Sequence, residues 1–219
     1  MFCENFGNIF NFVMNHTEIV TFPILPEIRL RVLTEKSEFF YAKESELLKF
    51  GIKDPFFLFC WPGGQALSRF ILDNRILIKD KSVLVFGSGC GTEGIAAVLC
   101  GAKYVLASDI DVNALLMSSI NMELNNVRFE LTDKDMFLSD CEGFDVVLAG
   151  DMFYDSDMIK TVFDWLRKLK AKNKLVLCAD PSRGNVAPES VEVLNVYETI
   201  KDGEIHSGKV VKTTVFTVR

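Results

Sequence analysis

Histidine is nearly absent from this 219-residue chain: His16 and His206 are the only two. A metal centre built on imidazole has almost no raw material here, and no metal site is expected. Cysteine occurs at Cys3, Cys60, Cys90, Cys100, Cys141 and Cys178, never as a CxxC pair and never clustered. That spacing points to buried free thiols in a reducing compartment. Positive charge is in deficit, with 24 Lys and Arg against 30 Asp and Glu and a formal net charge of -6. A mildly acidic chain without a basic stripe is poorly suited to gripping nucleic-acid phosphates. A neutral or basic protein surface is the better electrostatic partner. No apolar run approaches the ~20 residues of a membrane span, so no membrane partner is expected. The segment Met1 to Asn15 contains Glu4 but no Lys or Arg. An organellar presequence is basic and acid-poor, so this one is weak and a cytoplasmic location stays open.

What is present suffices for a large core. Hydrophobic residues make up 49% of the chain and charged ones 25%. Residues 1–54 read as an N-terminal extension packing on a main domain of residues 55–219. Within the extension, the segment from Leu25 to Leu33 suggests a short strand or hairpin followed by a loop. Beyond Pro55 the pattern alternates. Helical spacing over Gln65 to Asn74 is followed by an apolar strand, Ser82 to Phe86. A helix over Thr92 to Cys100 stops at Gly101. A strand over Tyr104 to Ala107 leads to a helix capped by Asp111 and reaching Leu124. Strands are expected at Val127 to Leu131, Phe144 to Ala149 and Lys174 to Ala179. A helix capped by Asp155 or Ser156 runs to Lys170. Two closing strands, Glu192 to Ile200 and Val210 to Val218, join around Asp202-Gly203. The alternation implies an α/β, Rossmann-like fold with a mostly parallel sheet and an antiparallel edge at its C-terminal end.

The chemistry gathers after the strands. Val83-Leu84-Val85-Phe86-Gly87-Ser88-Gly89-Cys90-Gly91-Thr92 carries a strand through glycines into a helix. Glycines there let the backbone turn and approach a ligand, and the helix N-terminus adds free N–H donors. A dinucleotide fingerprint, GxGxxG, needs glycine at position 92, which is Thr. Asp109 ends the next strand, where a carboxylate can accept both hydroxyls of a ribose. After the third strand, Asp133 or Asp135 can accept from an adenine amino group. After the fourth, Asp151 and Tyr154 stand at the carboxyl ends of the strands, where open sheets bind ligands. Phe59-Cys60-Trp61-Pro62-Gly63-Gly64 leads into a helix N-terminus, which suits Trp61 to covering a ligand.

The GxGxG spacing of Gly87, Gly89 and Gly91 resembles motif I of the S-adenosylmethionine-dependent methyltransferases. Trp61-Pro62-Gly63-Gly64-Gln65, Asp109-Ile110-Asp111 and Gly150-Asp151-Met152-Phe153-Tyr154 are more specific. Together they resemble the seven-strand protein-lysine methyltransferases of the methyltransferase-like group, over most of the chain from Leu25. The resemblance implies a class I methyltransferase fold, S-adenosylmethionine as cofactor and S-adenosylhomocysteine as product. It implies a mitochondrial matrix enzyme whose partner is a folded protein, the beta subunit of the electron transfer flavoprotein; a monomer is expected. Trp61, Gly87, Ser88, Gly89, Gly91, Asp109, Ile110, Asp133 and Gly150 are then the expected cofactor residues. Asp151 would position the substrate ammonium electrostatically, and Tyr154 would shape the amine channel. Asp180-Pro181-Ser182-Arg183 resembles the group's Asp-Pro-Gly-Arg string, placing Asp180 and Arg183 on the substrate side. Ser182 departs from it, and the segment after Arg183 is too short for the usual helix. A methyltransferase for another protein or a small molecule, and a cofactor-binding scaffold without turnover, remain alternative readings.

Overall fold

The computed structural model describes the backbone from Phe2 to Arg219 and side chains from Gly7 onward. The Cys3 thiol lies outside the described side chains. The N-terminal part comprises α1 (Phe2–His16), β1 (Glu18–Val20), β2 (Leu30–Val32) and the short α2 (Glu44–Leu47). Then follow α3 (Pro62–Asp73), β3 (Ser82–Phe86), α4 (Thr92–Leu99), β4 (Tyr104–Ser108), α5 (Val112–Leu124) and β5 (Glu130–Thr132). The chain closes with β6 (Val146–Gly150), α6 (Ile159–Ala171), β7 (Leu175–Asp180), β8 (Val191–Ile200) and β9 (Val210–Val218).

Strands β3 to β9 form one sheet in the order β5-β4-β3-β6-β7-β9-β8. The first five in that order run parallel, while β9 is antiparallel to both β7 and β8. The antiparallel strand is therefore inserted one place inside the edge, and β8 is the edge itself. The central strands β3 and β6 are apolar because helices cover both of their faces. Every residue of β6 is buried. The chain winds outward from β3 through β4 to β5, then returns to β6 on the other side of β3. That reversal leaves a crevice at the carboxyl ends of β3 and β6, between the glycine loop and Asp151.

Of the expected strand or hairpin from Leu25 to Leu33, the structure forms one strand, β2, whose antiparallel partner β1 lies upstream of that segment. Leu30, Val32, Ile52 and the helix residues Ile9, Phe12 and Val13 join the same buried cluster as α3 and β3. Polar side chains fix this packing. Asn121 accepts from the Arg31 amide at 2.7 Å and donates to the Cys90 carbonyl at 2.9 Å. Gln65 donates to the carbonyls of Cys60 and Ile200 and accepts from the Ile200 amide, tying α3 to β8.

Several element boundaries shift from the sequence expectations, among them a strand and a helix start. The third strand of the main domain covers Glu130–Thr132, not Val127 to Leu131, because its position follows pairing with β4. Helix α6 begins at Ile159 with no side-chain cap. Asp155 instead accepts from the Asp157 amide at 2.9 Å, making a local turn before the helix.

The second core cluster lies on the other face of the sheet. Phe153, fully buried, meets Phe163 at 5.1 Å and Phe216 at 5.4 Å between ring centroids. Truncation of a buried Phe loses transfer energy and leaves a cavity. Phe153→Ala should therefore cost about 3–5 kcal/mol in urea unfolding. A loss under about 1 kcal/mol would show that this cluster does not anchor the Asp151 loop.

Candidate active site

A cavity of about 860 Å³ opens at the crevice. Its floor is the glycine loop. Gly87, Ser88, Gly89 and Cys90 line it, and the Ser88 hydroxyl is buried without a hydrogen-bond partner. Gly89 has φ +49°, and a side chain there would meet nothing within 4 Å. The loop thus presents bare backbone to open space. Gly91 serves a different purpose. At φ +87° it caps α4, and a Cβ would lie 3.0 Å from the Ser118 backbone on α5. Gly91 does not line the cavity. It packs the loop closely on α5 instead.

Asp109, at the end of β4, lines one wall. One carboxylate oxygen accepts from the Gly89 amide at 2.9 Å and the other from the Asp111 amide at 3.0 Å. Burial raises its pKa, and those two N–H groups oppose the rise. Ile110 is 75% exposed and flanks the same wall. Asp133 is exposed and lies outside the cavity; Asp135 lines it instead. The turn decides which carboxylate faces inward. Ser108 holds the Lys134 carbonyl at 2.8 Å, and Asp135 accepts from the Phe137 amide at 2.8 Å. Phe137 and Asp135 thus bound the far end.

The opposite end is aromatic. Trp61, immediately before α3, donates its indole N–H to the Phe56 carbonyl at 2.8 Å. Phe56 bridges Trp61 and Tyr154, with ring centroids 6.1 and 6.0 Å away. Phe56 is 54% and Tyr154 59% exposed, so this rim is open to solvent.

Asp151 sits beside that rim with φ +59°, a left-handed conformation uncommon outside glycine and asparagine. Its side chain is largely buried. One oxygen accepts from the Gly64 amide at 2.9 Å, and the other pairs with the Arg183 guanidinium at 2.8 Å. Burial pushes the Asp151 carboxyl up to about 6 against the pull of Arg183. It is therefore mostly ionised at neutral pH.

Arg183 lines the cavity, whereas Asp180 does not. Asp180 is 2% exposed, accepting the Arg183 amide and guanidinium, each at 3.0 Å. It holds Arg183 in place and presents nothing to a substrate surface. Ser182 turns at φ +60°, a conformation glycine adopts without strain. The segment after it holds a single 3-10 turn, Pro188–Ser190, and no α-helix.

Sequence reasoning missed Glu93 and Phe56. Glu93 reads as an ordinary acid in the first turn of a helix, where the dipole favours it. The structure buries it in the cavity wall. Phe56 lies in a short 3-10 element without periodic pattern.

A chamber with bare glycine backbone, a carboxylate at the end of β4 and an acidic turn after β5 fits a nucleoside carrying an amino-acid tail. Comparison with known proteins agrees. Residues 57–194, more than half of the chain, match the family model described as lysine methyltransferase. The Xenopus laevis protein named electron transfer flavoprotein beta subunit lysine methyltransferase is 40% identical over 183 residues, covering 83% of this chain and 73% of that protein. The Homo sapiens protein of the same name is 38% identical over 184 residues, covering 83% and 69%. A solved Streptococcus mutans structure assigned as a SAM-dependent methyltransferase aligns with TM-score 0.58 and 13% identity, covering 93% of this chain and 56% of that one. Another methyltransferase, solved with S-adenosylhomocysteine, aligns with TM-score 0.56 and 12% identity over the same shares. At such identities the likeness is one of fold, the class I methyltransferase fold. The chain belongs to the lysine methyltransferase family, and it is an S-adenosylmethionine-dependent protein-lysine methyltransferase.

Proposed function

We propose that the chain methylates lysines on the electron transfer flavoprotein beta subunit. The observation that carries this is the open aromatic rim beside Asp151. Phe56 and Tyr154 stand exposed at a mouth where a lysine on a protein surface can reach inward. A fully enclosed chamber would suit a small metabolite better. The named relatives supply the identity of the protein, since they align over most of this chain. That substrate carries with it a location in the mitochondrial matrix.

In this reading the adenine lies toward Asp135 and Phe137, and the ribose hydroxyls meet Asp109. Trp61, Gly87, Ser88, Gly89, Ile110 and Gly150 enclose the rest of the cofactor. The bound cofactor supplies an electrophilic methyl group on a sulfonium. The substrate lysine must lose a proton before it can attack, because its free pKa is about 10.4. Asp151 holds the ammonium by charge while water carries the proton away. Tyr154 and Phe56 confine the aliphatic stem, and alignment of donor and acceptor supplies most of the rate gain.

The test is incubation with methyl-labelled cofactor and a mitochondrial extract, followed by mass spectrometry of the labelled band. Label on the flavoprotein beta subunit is expected. Label on a metabolite, or on another protein alone, contradicts the substrate assignment.

A further inference from the structure

Glu93 is the second residue of α4, directly behind the glycine loop. It is 5% exposed and lines the cavity. Two other elements make room for it. A side chain at Gly150, at the end of β6, would collide with its carboxyl, and one at Gly64, on α3, would lie 3.4 Å from it. Among the described residues, no Lys, Arg or His pairs with this carboxyl. Its titratable neighbours are the Cys90 thiol and two acids, Asp151 and Asp109. Burial, with Cys90, Asp151 and Asp109 adding to it and the residue's own backbone N–H opposing it, pushes Glu93 up to about 8. An ionised carboxylate without a cation is costly in such a place. A cationic ligand entering the cavity removes that cost.

The cofactor carries two cationic groups, a sulfonium and the α-ammonium of its methionine portion. The sulfonium methyl must face the acceptor at the Asp151 rim. The ribose end lies at Asp109, on the next strand. Glu93 stands behind the loop, against Gly64 and Gly150, where the amino-acid tail has to run. A carboxylate also suits an N–H donor better than a sulfonium, which donates no strong hydrogen bond. Resting on the cofactor assignment, we propose that Glu93 is the counter-ion of the methionine α-ammonium, and that cofactor binding ionises it.

Calorimetry with two ligands tests this. S-adenosylhomocysteine keeps the ammonium but lacks the sulfonium; 5′-methylthioadenosine lacks both. At pH 7, S-adenosylhomocysteine binding to the wild type should release about one proton, read from the dependence of heat on buffer. Glu93→Gln should abolish that release and weaken S-adenosylhomocysteine at least ~10-fold, with methylthioadenosine changed by less than about twofold. Absence of proton release, equal losses for both ligands, or unchanged S-adenosylhomocysteine affinity overturns the proposal. The wild-type proton count needs no variant, so it stands even where the substitution impairs folding. A wild type that binds neither nucleoside contradicts the cofactor assignment itself, and the proposal with it.

Discussion

Asp151→Asn should lower the rate of methyl transfer at least ~100-fold while S-adenosylhomocysteine affinity stays within about threefold. Asparagine is the informative replacement. It tolerates the left-handed backbone at this position, which alanine does not. Its amide oxygen can still accept from Gly64, and Arg183 keeps its partner Asp180. What disappears is the carboxylate's negative charge. In the proposed role the charge acts on the substrate ammonium, so the effect should fall on kcat. The pH profile gives a second readout. The carboxyl titrates at about 6, and only its ionised form holds an ammonium. Wild-type activity should drop as pH falls through about 6, and that inflection should vanish in Asp151→Asn. Near-normal turnover in the variant would remove Asp151 from the chemistry.

Asp109→Ala should raise the S-adenosylhomocysteine Kd by about 100-fold. Two kinds of contact are lost together. The carboxylate no longer accepts from Gly89 and Asp111, so the glycine loop loses one of its ties beside β4, while the Gly87 and Ser88 amides keep theirs to the Ser108 carbonyl. In the proposed cofactor pose it also no longer accepts from the ribose hydroxyls, where a hydrogen bond to a charged group is worth about 1.5–3 kcal/mol. Asp133→Ala is the control. Asp133 is exposed and outside the cavity, so its removal should leave the Kd within about twofold. Equal effects from both substitutions would contradict the assignment of the cavity walls.

The contrast between these two aspartates shows where sequence reasoning reaches and where it stops. The buried strands were legible because their apolar runs have one explanation, burial on both faces. Ser82–Phe86 and Val210–Val218 coincide with the expected strands residue for residue. Asp109 was legible for a similar reason, since it ends such a strand. Asp133 and Asp135 differ only in which way a turn points. That direction is fixed by Ser108 and the Phe137 amide, partners that no local pattern reveals. Helix α1 was not anticipated because Ile9, Phe12 and Val13 make a short stripe among Asn and Gly residues. Its partners Phe39 and Phe50 lie far along the chain. Asp180 was expected beside the substrate, but tertiary packing turns it inward onto Arg183.

In the proposed function the Asp151 rim receives a lysine of a folded protein and sets it up for methyl transfer. Peptide mapping of purified, native electron transfer flavoprotein beta subunit after incubation with this protein and S-adenosylmethionine tests it most directly. Methylated lysines are expected with the wild type and none above background with Asp151→Asn. An unmodified subunit, under conditions where the wild type demonstrably binds S-adenosylmethionine, would contradict it.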